Sequence, residues 1–364
     1  MAHLLRVCFR KTVAGLGYSI CVTYMLKRVK KLSLKVGKRA GVFAALQTTK
    51  WRRSRLLILA YHGMSIADEH EWDAGLFMPP DDFRRRLDII KRTGCHVLPL
   101  HEALERLYAR DLPPKAVVIT IDDGNHDFYR FAYPALQDAQ LPATVYLTTY
   151  YVHYNRPVFD TVCSYLLWRG RSGAINLQPL TGRAESVNLA TESGRATVWQ
   201  ALQSHVSEQK LSGEEKDALA GKLAREVGVD YEELCERKLL HRMTDAEVRE
   251  IAAQGVDIQL HTHRHRVPQE KALLQQEIHD NRRYIKELTG HEANHLCYPS
   301  GVYHAAGLPW LREVGVISAT TCDLGLAHAD SDPLLLPRFL DSSTLSPIEF
   351  EGWLSGLSSF LPRR

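Results

Sequence analysis

The stretch Val117-Val118-Ile119-Thr120-Ile121-Asp122-Asp123-Gly124-Asn125 narrows the fold more than any other part of the chain. An apolar, β-branched run without alternation reads as a strand buried on both faces, the kind found in parallel sheets. Two adjacent carboxylates ending such a strand need a polar site to face. Neighbouring strand residues point to opposite sides, so both can face one site only where the backbone turns, and Gly124 permits that turn. The competing reading is a helix cap, with Asp123 capping the segment that follows.

The remainder repeats a strand-then-helix theme. Residues 56–61 read as a second buried strand, ending in His62-Gly63. Pro79-Pro80-Asp81 opens a helix with Asp81 as its cap and Phe83, Leu87 and Ile90 on its inner face. Residues 96–100 read as a short strand, 103–109 and 128–138 as helices, and 143–147 as a strand. From about residue 154 to 240 the sequence turns polar and helical with no buried strand, an insertion that either shapes substrate access or merely decorates the rim. The alternation then resumes. Thr244 or Asp245 opens a helix, residues 271–288 form a long one, and strands are expected at 257–260, 295–298, 316–320 and 334–340. Seven or eight strands separated by helices fit a (β/α) barrel better than an open sheet.

Charge divides the chain unevenly. The net charge is +4, yet residues 1–67 hold 14 of the 46 Lys and Arg and no acid, leaving 32 basic against 42 acidic residues beyond them. The folded body is therefore acidic, which argues against a nucleic-acid partner. Residues 1–54 form a basic arm. Its apolar run at 13–26 is shorter than the roughly 20 residues that span a bilayer, and Lys27-Arg28-Val29-Lys30-Lys31 follows where a signal peptide would carry small residues. Residues 29–46 interleave Lys and Arg with Leu, Val and Phe, suiting a helix on an anionic membrane face or one packed on the body. Seven cysteines without a C-x-x-C pair resemble no disulfide framework. A cytoplasmic protein, or one peripheral at the inner membrane face, is expected; the alternative is a periplasmic protein with residues 13–26 as an uncleaved anchor.

Four expected strand ends carry reactive groups: His62, Asp122-Asp123, His261-Thr262-His263-Arg264-His265 and Pro299-Ser300-Gly301. In barrel enzymes these ends share one mouth. His261 and His265, four apart, can reach one metal ion from a single helical turn, with a carboxylate completing the set; His263 points elsewhere if the segment is helical and could swap roles if it is a loop.

Here the chain resembles the polysaccharide deacetylases (NodB-homology, carbohydrate esterase family four). Thr120-Ile121-Asp122-Asp123-Gly124 is similar to that family's T-F-D-D-G motif, and His261-Thr262-His263-Arg264-His265 matches its H-[ST]-x-x-H motif. The resemblance covers roughly residues 56–340 and implies a distorted (β/α)7 barrel that removes acetyl groups from sugars with a divalent metal. Zinc is the default, and nickel, cobalt or manganese suit the same ligands. It implies Asp123, His261 and His265 as metal ligands and Asp122 as general base. Tyr298, Pro299, Ser300 and Gly301 would form the substrate and oxyanion loop, with a backbone N–H near Ser300 or Gly301 facing the oxyanion.

Two motifs depart from the family. Its R-x-P-Y motif stands here as Cys297-Tyr298-Pro299-Ser300-Gly301, without the Arg that orients the base. Its late L-x-H motif, source of the general acid, is replaced by Leu334-Leu335-Leu336-Pro337-Arg338. Both features resemble the poly-N-acetylglucosamine deacetylase branch, whose early strand carries a His like Tyr61-His62-Gly63. His62 is thus the expected acid, and Arg338 a candidate to orient Asp122. The barrel would span 55–345 and a tail 346–364. A carbohydrate deacetylase acting on N-acetylated sugars of a polysaccharide or lipid-linked glycan is expected. The alternatives are a deformylase or other amidase using the same site, and a degenerate, non-catalytic glycan-binding barrel.

Overall fold

The structure, a computed structural model, describes residues 16–361. The buried apolar runs form seven parallel strands: β1 (Arg55–Tyr61), β2 (Ala116–Ile121), β3 (Thr144–Leu147), β4 (Asp257–Leu260), β5 (His295–Cys297), β6 (Ser318–Leu324) and β7 (Leu336–Leu340). Each pairs with the next in chain order. β7 returns to β1, with Leu59 opposite Phe339, so the ring closes as a (β/α)7 barrel. The short strand expected at 96–100 is only His96–Val97, and it lies outside the ring on the first residues of β2.

Period-two alternation sorts the strand residues into two cores. Leu56, Ile58, Ala116, Val118, Tyr146, Cys297 and Leu336 form the inner cluster, joined by Leu100, Ala103, Leu104 and Leu107 of the Leu100–Tyr108 helix. Leu57, Leu59, Tyr61, Val117, Ile119, Ile121 and Phe339 belong to the outer cluster, against the surrounding helices. This sorting points the site: Thr120 and Asp122 continue the inward row of Ala116 and Val118, and His62 follows the outward Tyr61.

The insertion has a core of its own, in which Val162, Leu166, Val198, Leu202, Leu219 and Leu223 are buried together. It is not purely helical. Ala174–Asn176 and Ser186–Asn188 form an antiparallel pair that buries Ile175 and Val187, a hairpin too short to read from periodicity. Asp81 is no cap: Pro79 takes that position, and Asp81 sits in the first turn of the Pro80–Arg92 helix, where a carboxylate favours the helix dipole. The described residues of the expected C-terminal tail, 346–361, pack on the barrel. The Pro347–Ser355 helix buries Phe350, Trp353 and Leu354, and Phe339 stacks on Trp353 at 4.8 Å. The long Leu16–Arg39 helix docks on it through buried Leu34 and the ion pairs Lys31–Glu349 and Lys38–Glu351.

Arg52 ties the arm to the barrel. Fully buried, it donates to the carbonyls of Leu354 (3.1 Å), Arg55 (2.8 Å) and Ala116 (3.5 Å). Burial lowers its pKa to about 10, so the guanidinium stays charged at neutral pH. Arg52→Met strands these buried acceptors, each worth about 1–3 kcal/mol when unpaired. Urea unfolding should therefore show a loss of about 3 kcal/mol.

Candidate active site

At the carboxyl end of β2 the backbone turns one residue earlier than glycine would require. Asp123 itself is left-handed, at φ +76°, and Gly124 follows at +75°. The Asp122 N–H still pairs with the Tyr61 carbonyl at 2.8 Å, while Gly124 N–H folds back on the Asp122 carbonyl at 3.0 Å. A side chain at Gly124 would sit 2.2 Å from Leu147, so the second position must be glycine. The turn brings both carboxylates to the mouth. Asp123 caps no helix: the helical turn begins at His126, and the Asp123 carboxylate meets His261, His265 and Arg242 instead of a helix N–H. Left-handed backbone at a non-glycine residue stores strain and clusters at functional sites; Thr262 (+60°), His265 (+53°) and Ser300 (+56°) share it here.

The two neighbours have different surroundings. Asp122 is buried and faces Arg338, whose Nη1 and Nη2 donate to Oδ1 and Oδ2 at 2.7 and 2.8 Å. Burial alone would raise this carboxyl; the guanidinium fork outweighs it and holds the group down at about 2. His62 Nε2 stands 3.6 Å from Asp122 Oδ2. Asp123 Oδ1 instead meets His261 Nε2 and His265 Nε2, each at 3.2 Å.

His261 Nδ1 lies 2.8 Å from the Cys297 carbonyl, an atom that can only accept, so Nδ1 carries a proton. Burial would lower this imidazole's pKa, but neighbouring Cys297 and the Asp123 and Asp122 carboxylates raise it well above its usual value; a cation at Nε2 would displace the second proton and meet a lone pair there. Nε2 faces the buried Asp123 Oδ1. The ligand atoms of Asp123, His261 and His265 lie within 4.8 Å of one another. Convergent lone pairs, with a ring oriented from behind by a carbonyl, are the donor set of a divalent cation. The residues present therefore fit a metal.

The histidine segment is a loop, not the helical turn expected from the four-residue spacing. Left-handed Thr262 and His265 fold it so that the two rings meet at 4.9 Å. His263 turns away, with Nδ1 2.9 Å from Thr149 Oγ1. Two residues of the Lys271–Thr289 helix hold the loop. Asn281 Oδ1 accepts the His261 N–H at 2.9 Å while its amide donates to the Leu147 carbonyl at 3.0 Å. Buried Glu277 accepts from the Arg264 N–H (2.8 Å) and Arg266 Nε (2.7 Å). Both were missed in the sequence, although a Glu and an Asn four apart on an otherwise apolar helix face were a visible signal. Arg242 was also missed. It ends the insertion, pairs with Asp123 Oδ2 at 3.4 Å and donates to Asn125. Its neighbours brace the same turn, through Met243 N–H to the Gly124 carbonyl and His126 N–H to the His241 carbonyl, both at 2.9 Å.

The expected substrate loop is only partly at the mouth. Tyr298 follows inward Cys297 and so points out, buried in the outer core beside Tyr303. Pro299 is buried too. The Gly301 N–H is committed to the Tyr298 carbonyl at 2.8 Å, and its φ of +67° and a would-be Cβ 2.6 Å from Cys322 give Gly301 a turn-making role. Exposed Ser300 remains the one candidate of the four for contact with substrate.

The family model for polysaccharide deacetylase matches residues 109–317, more than half of the chain. The chain belongs to the polysaccharide deacetylase family. The provisionally named polysaccharide deacetylase YxkH of Bacillus subtilis (strain 168) is 29% identical over 123 residues, 33% of this chain and 41% of that relative's length. The chain thus matches less than half of YxkH. Streptococcus pyogenes deacetylase PplD, solved with acetate, superposes with a TM-score of 0.54 at 19% identity, over 85% of this chain and 98% of that one. IcaB from Ammonifex degensii gives 0.52 at 16% identity, over 83% and 98%. At such identities the likeness is one of fold, and it agrees with the closed seven-stranded ring.

If Asp123, His261 and His265 hold a divalent cation, Asp123→Asn and His265→Ala should each weaken binding of added zinc by more than about 100-fold, above the usual cost of losing only an outer hydrogen bond. Titration calorimetry reads this directly, and wild-type affinity in either variant would remove that residue from the metal set.

Proposed function

We propose that this barrel is a metal-dependent hydrolase that removes acetyl groups from N-acetylated sugars of a polysaccharide or lipid-linked glycan. The observation that carries the reading is the division of labour between two adjacent carboxylates. Asp123 joins the histidine pair, and Asp122, kept ionised by Arg338, stays outside it to take a proton. When bound by Asp123, His261 and His265, a divalent metal would supply Lewis acidity toward water and the acetyl carbonyl; zinc suits these ligands best, with nickel, cobalt or manganese also accommodated.

Asp122 is the general base that accepts the proton of the attacking water. His62, beside the same carboxylate, protonates the leaving amine, so acid and base flank one reacting centre. Arg338 fixes Asp122 in position and in charge. The backbone at Ser300 is the remaining protein contact for the developing oxyanion. A degenerate, merely binding barrel is the weaker reading. Arg338 reaches the Asp122 carboxylate, which supports it in the role of the motif's missing guanidinium, and His62 lies 3.6 Å from the same carboxylate, which supports it as the acid. The amidase or deformylase reading shares this chemistry and differs only in substrate. Acetate release from N-acetylated glycans should fall by at least about 100-fold in Asp122→Asn, the lower end of what a general base contributes, and should stop in chelator. Release that survives both treatments refutes the reading.

The basic arm is proposed to rest on an anionic bilayer. Val29, Leu32 and Val36 share one exposed face of the Leu16–Arg39 helix, each more than half exposed, while Leu34 packs on the body. No described helix is long and apolar enough to cross a membrane, and an apolar stripe within a basic helix suits the interface. The described cysteines, Cys95, Cys163, Cys235, Cys297 and Cys322, are all unpaired, in keeping with the inner membrane face. Leu32→Glu and Val36→Glu should abolish co-sedimentation with anionic vesicles. Equal pelleting of variants and wild type would refute this placement.

A further inference from the structure

Arg242 stands where the insertion rejoins the barrel, and it takes no part in the proton transfers proposed for the site. Its side chain is buried. Nη2 lies 3.4 Å from Asp123 Oδ2, and Nη1 donates to Asn125 Oδ1. The two oxygens of Asp123 are thus divided. Oδ1 faces Nε2 of His261 and Nε2 of His265 at 3.2 Å each, and Oδ2 faces the guanidinium. We infer that Arg242 is a positioning residue that reserves Asp123 Oδ2, so that the carboxylate offers a divalent cation Oδ1 alone. The inference rests on the metal-dependent reading of the site and adds to it how Asp123 binds.

The backbone fixes Arg242 to the same turn as Asp123. Met243 N–H donates to the Gly124 carbonyl and His126 N–H to the His241 carbonyl, both at 2.9 Å, and Asn125 and Arg242 form an antiparallel bridge. The residues on either side of Arg242 are therefore pinned to those that directly follow Asp123. With Nη1 committed to Asn125, the plane of the guanidinium is set, and Nη2 meets Oδ2 without the freedom of a surface side chain. Arg242 Nε, also buried, has no hydrogen-bond partner. A buried donor left unpaired costs stability, so an arginine kept only to strengthen the fold is badly placed here.

The chemistry of the pair gives that placement a use. A carboxylate holds a cation through one oxygen or through both. Catalytic zinc sites keep three protein ligands and leave a further position for water or substrate, and a second Asp123 oxygen on the ion would crowd that position. A guanidinium has donors and no acceptor, so Arg242 cannot join the ligand set. It engages the lone pairs of Oδ2, and its charge opposes a cation that moves toward that oxygen. The site gives up some metal affinity and keeps a coordination position open.

Zinc affinity, read by competition with a chromogenic chelator, should rise at least about tenfold in Arg242→Met and in Arg242→Gln, because a unit charge a few ångströms from a cation repels it. Arg242→Lys keeps the charge and should stay close to wild type. An arginine that merely supports its carboxylate gives the opposite sign, a loss of about 10–100-fold in both neutral variants. Cobalt-loaded wild type should absorb strongly in the visible, as an ion of low coordination number does, and the neutral variants more weakly as the second oxygen binds. A crystal structure of the zinc-loaded wild type needs no variant: Oδ1 alone should touch the ion, with Arg242 still on Oδ2. Both oxygens on that ion, an unchanged cobalt spectrum, or equal or weaker zinc binding in the neutral variants overturns the proposal. Acetate release is read separately. Its absence in a wild type that binds zinc refutes the deacetylase reading and leaves the result on Arg242 standing.

Discussion

A buried guanidinium facing a buried carboxylate is costly to place and more costly to break. Two charges leave water only if their mutual geometry restores what hydration supplied, and removing one partner from such a pair costs about 3–5 kcal/mol. Arg338 and Asp122 meet that condition with two short parallel hydrogen bonds inside the barrel. Arg338 also reaches Thr120 Oγ1, Cys297 Sγ and the Thr321 carbonyl, so one side chain links β7 to β2, β5 and β6. The mouth of the barrel is organised around this link. It sets the charge of Asp122, and with it the contrast between a carboxylate held by a guanidinium and the neighbour that meets two histidines.

Strain at the end of β2 supports that contrast. Asp123 in a left-handed conformation would relax in an open loop. Here its carbonyl accepts Thr148 N–H, and the returning insertion grips Gly124 and Asn125 from the other side. The segment that looked like an interruption is thus attached to the turn that carries both carboxylates. An insertion that braces a strained turn and contributes Arg242 to the Asp123 carboxylate is part of the site's construction.

Most of the barrel was legible in the sequence. Buried β-branched runs gave β1 to β7 to within a few residues, because burial on both faces leaves a local signature. The helix start at Thr244 or Asp245 was equally local, and Thr244 takes the cap. The errors were of one kind. Asp81, the hairpin at 174–188 and the loop form of His261 to His265 depend on how a short segment meets its neighbours. Tyr298 was misplaced because its role was inferred from its motif and not from its parity: one residue past an inward Cys297, its side chain must point out.

The sequence by itself determined the strands, their order, and the identity of the Asp122-Asp123 pair and the two histidines. These follow from residue periodicity and from motifs contained within a few positions. The tertiary structure alone decided what each group faces. Arg338 and Asp122 are 216 residues apart, and His261 finds Asn281 and the Cys297 carbonyl across separate elements. Ring closure brings them together, and no local pattern encodes a contact between distant strands. The same closure carries Arg242 to the site and sets the insertion beside the mouth.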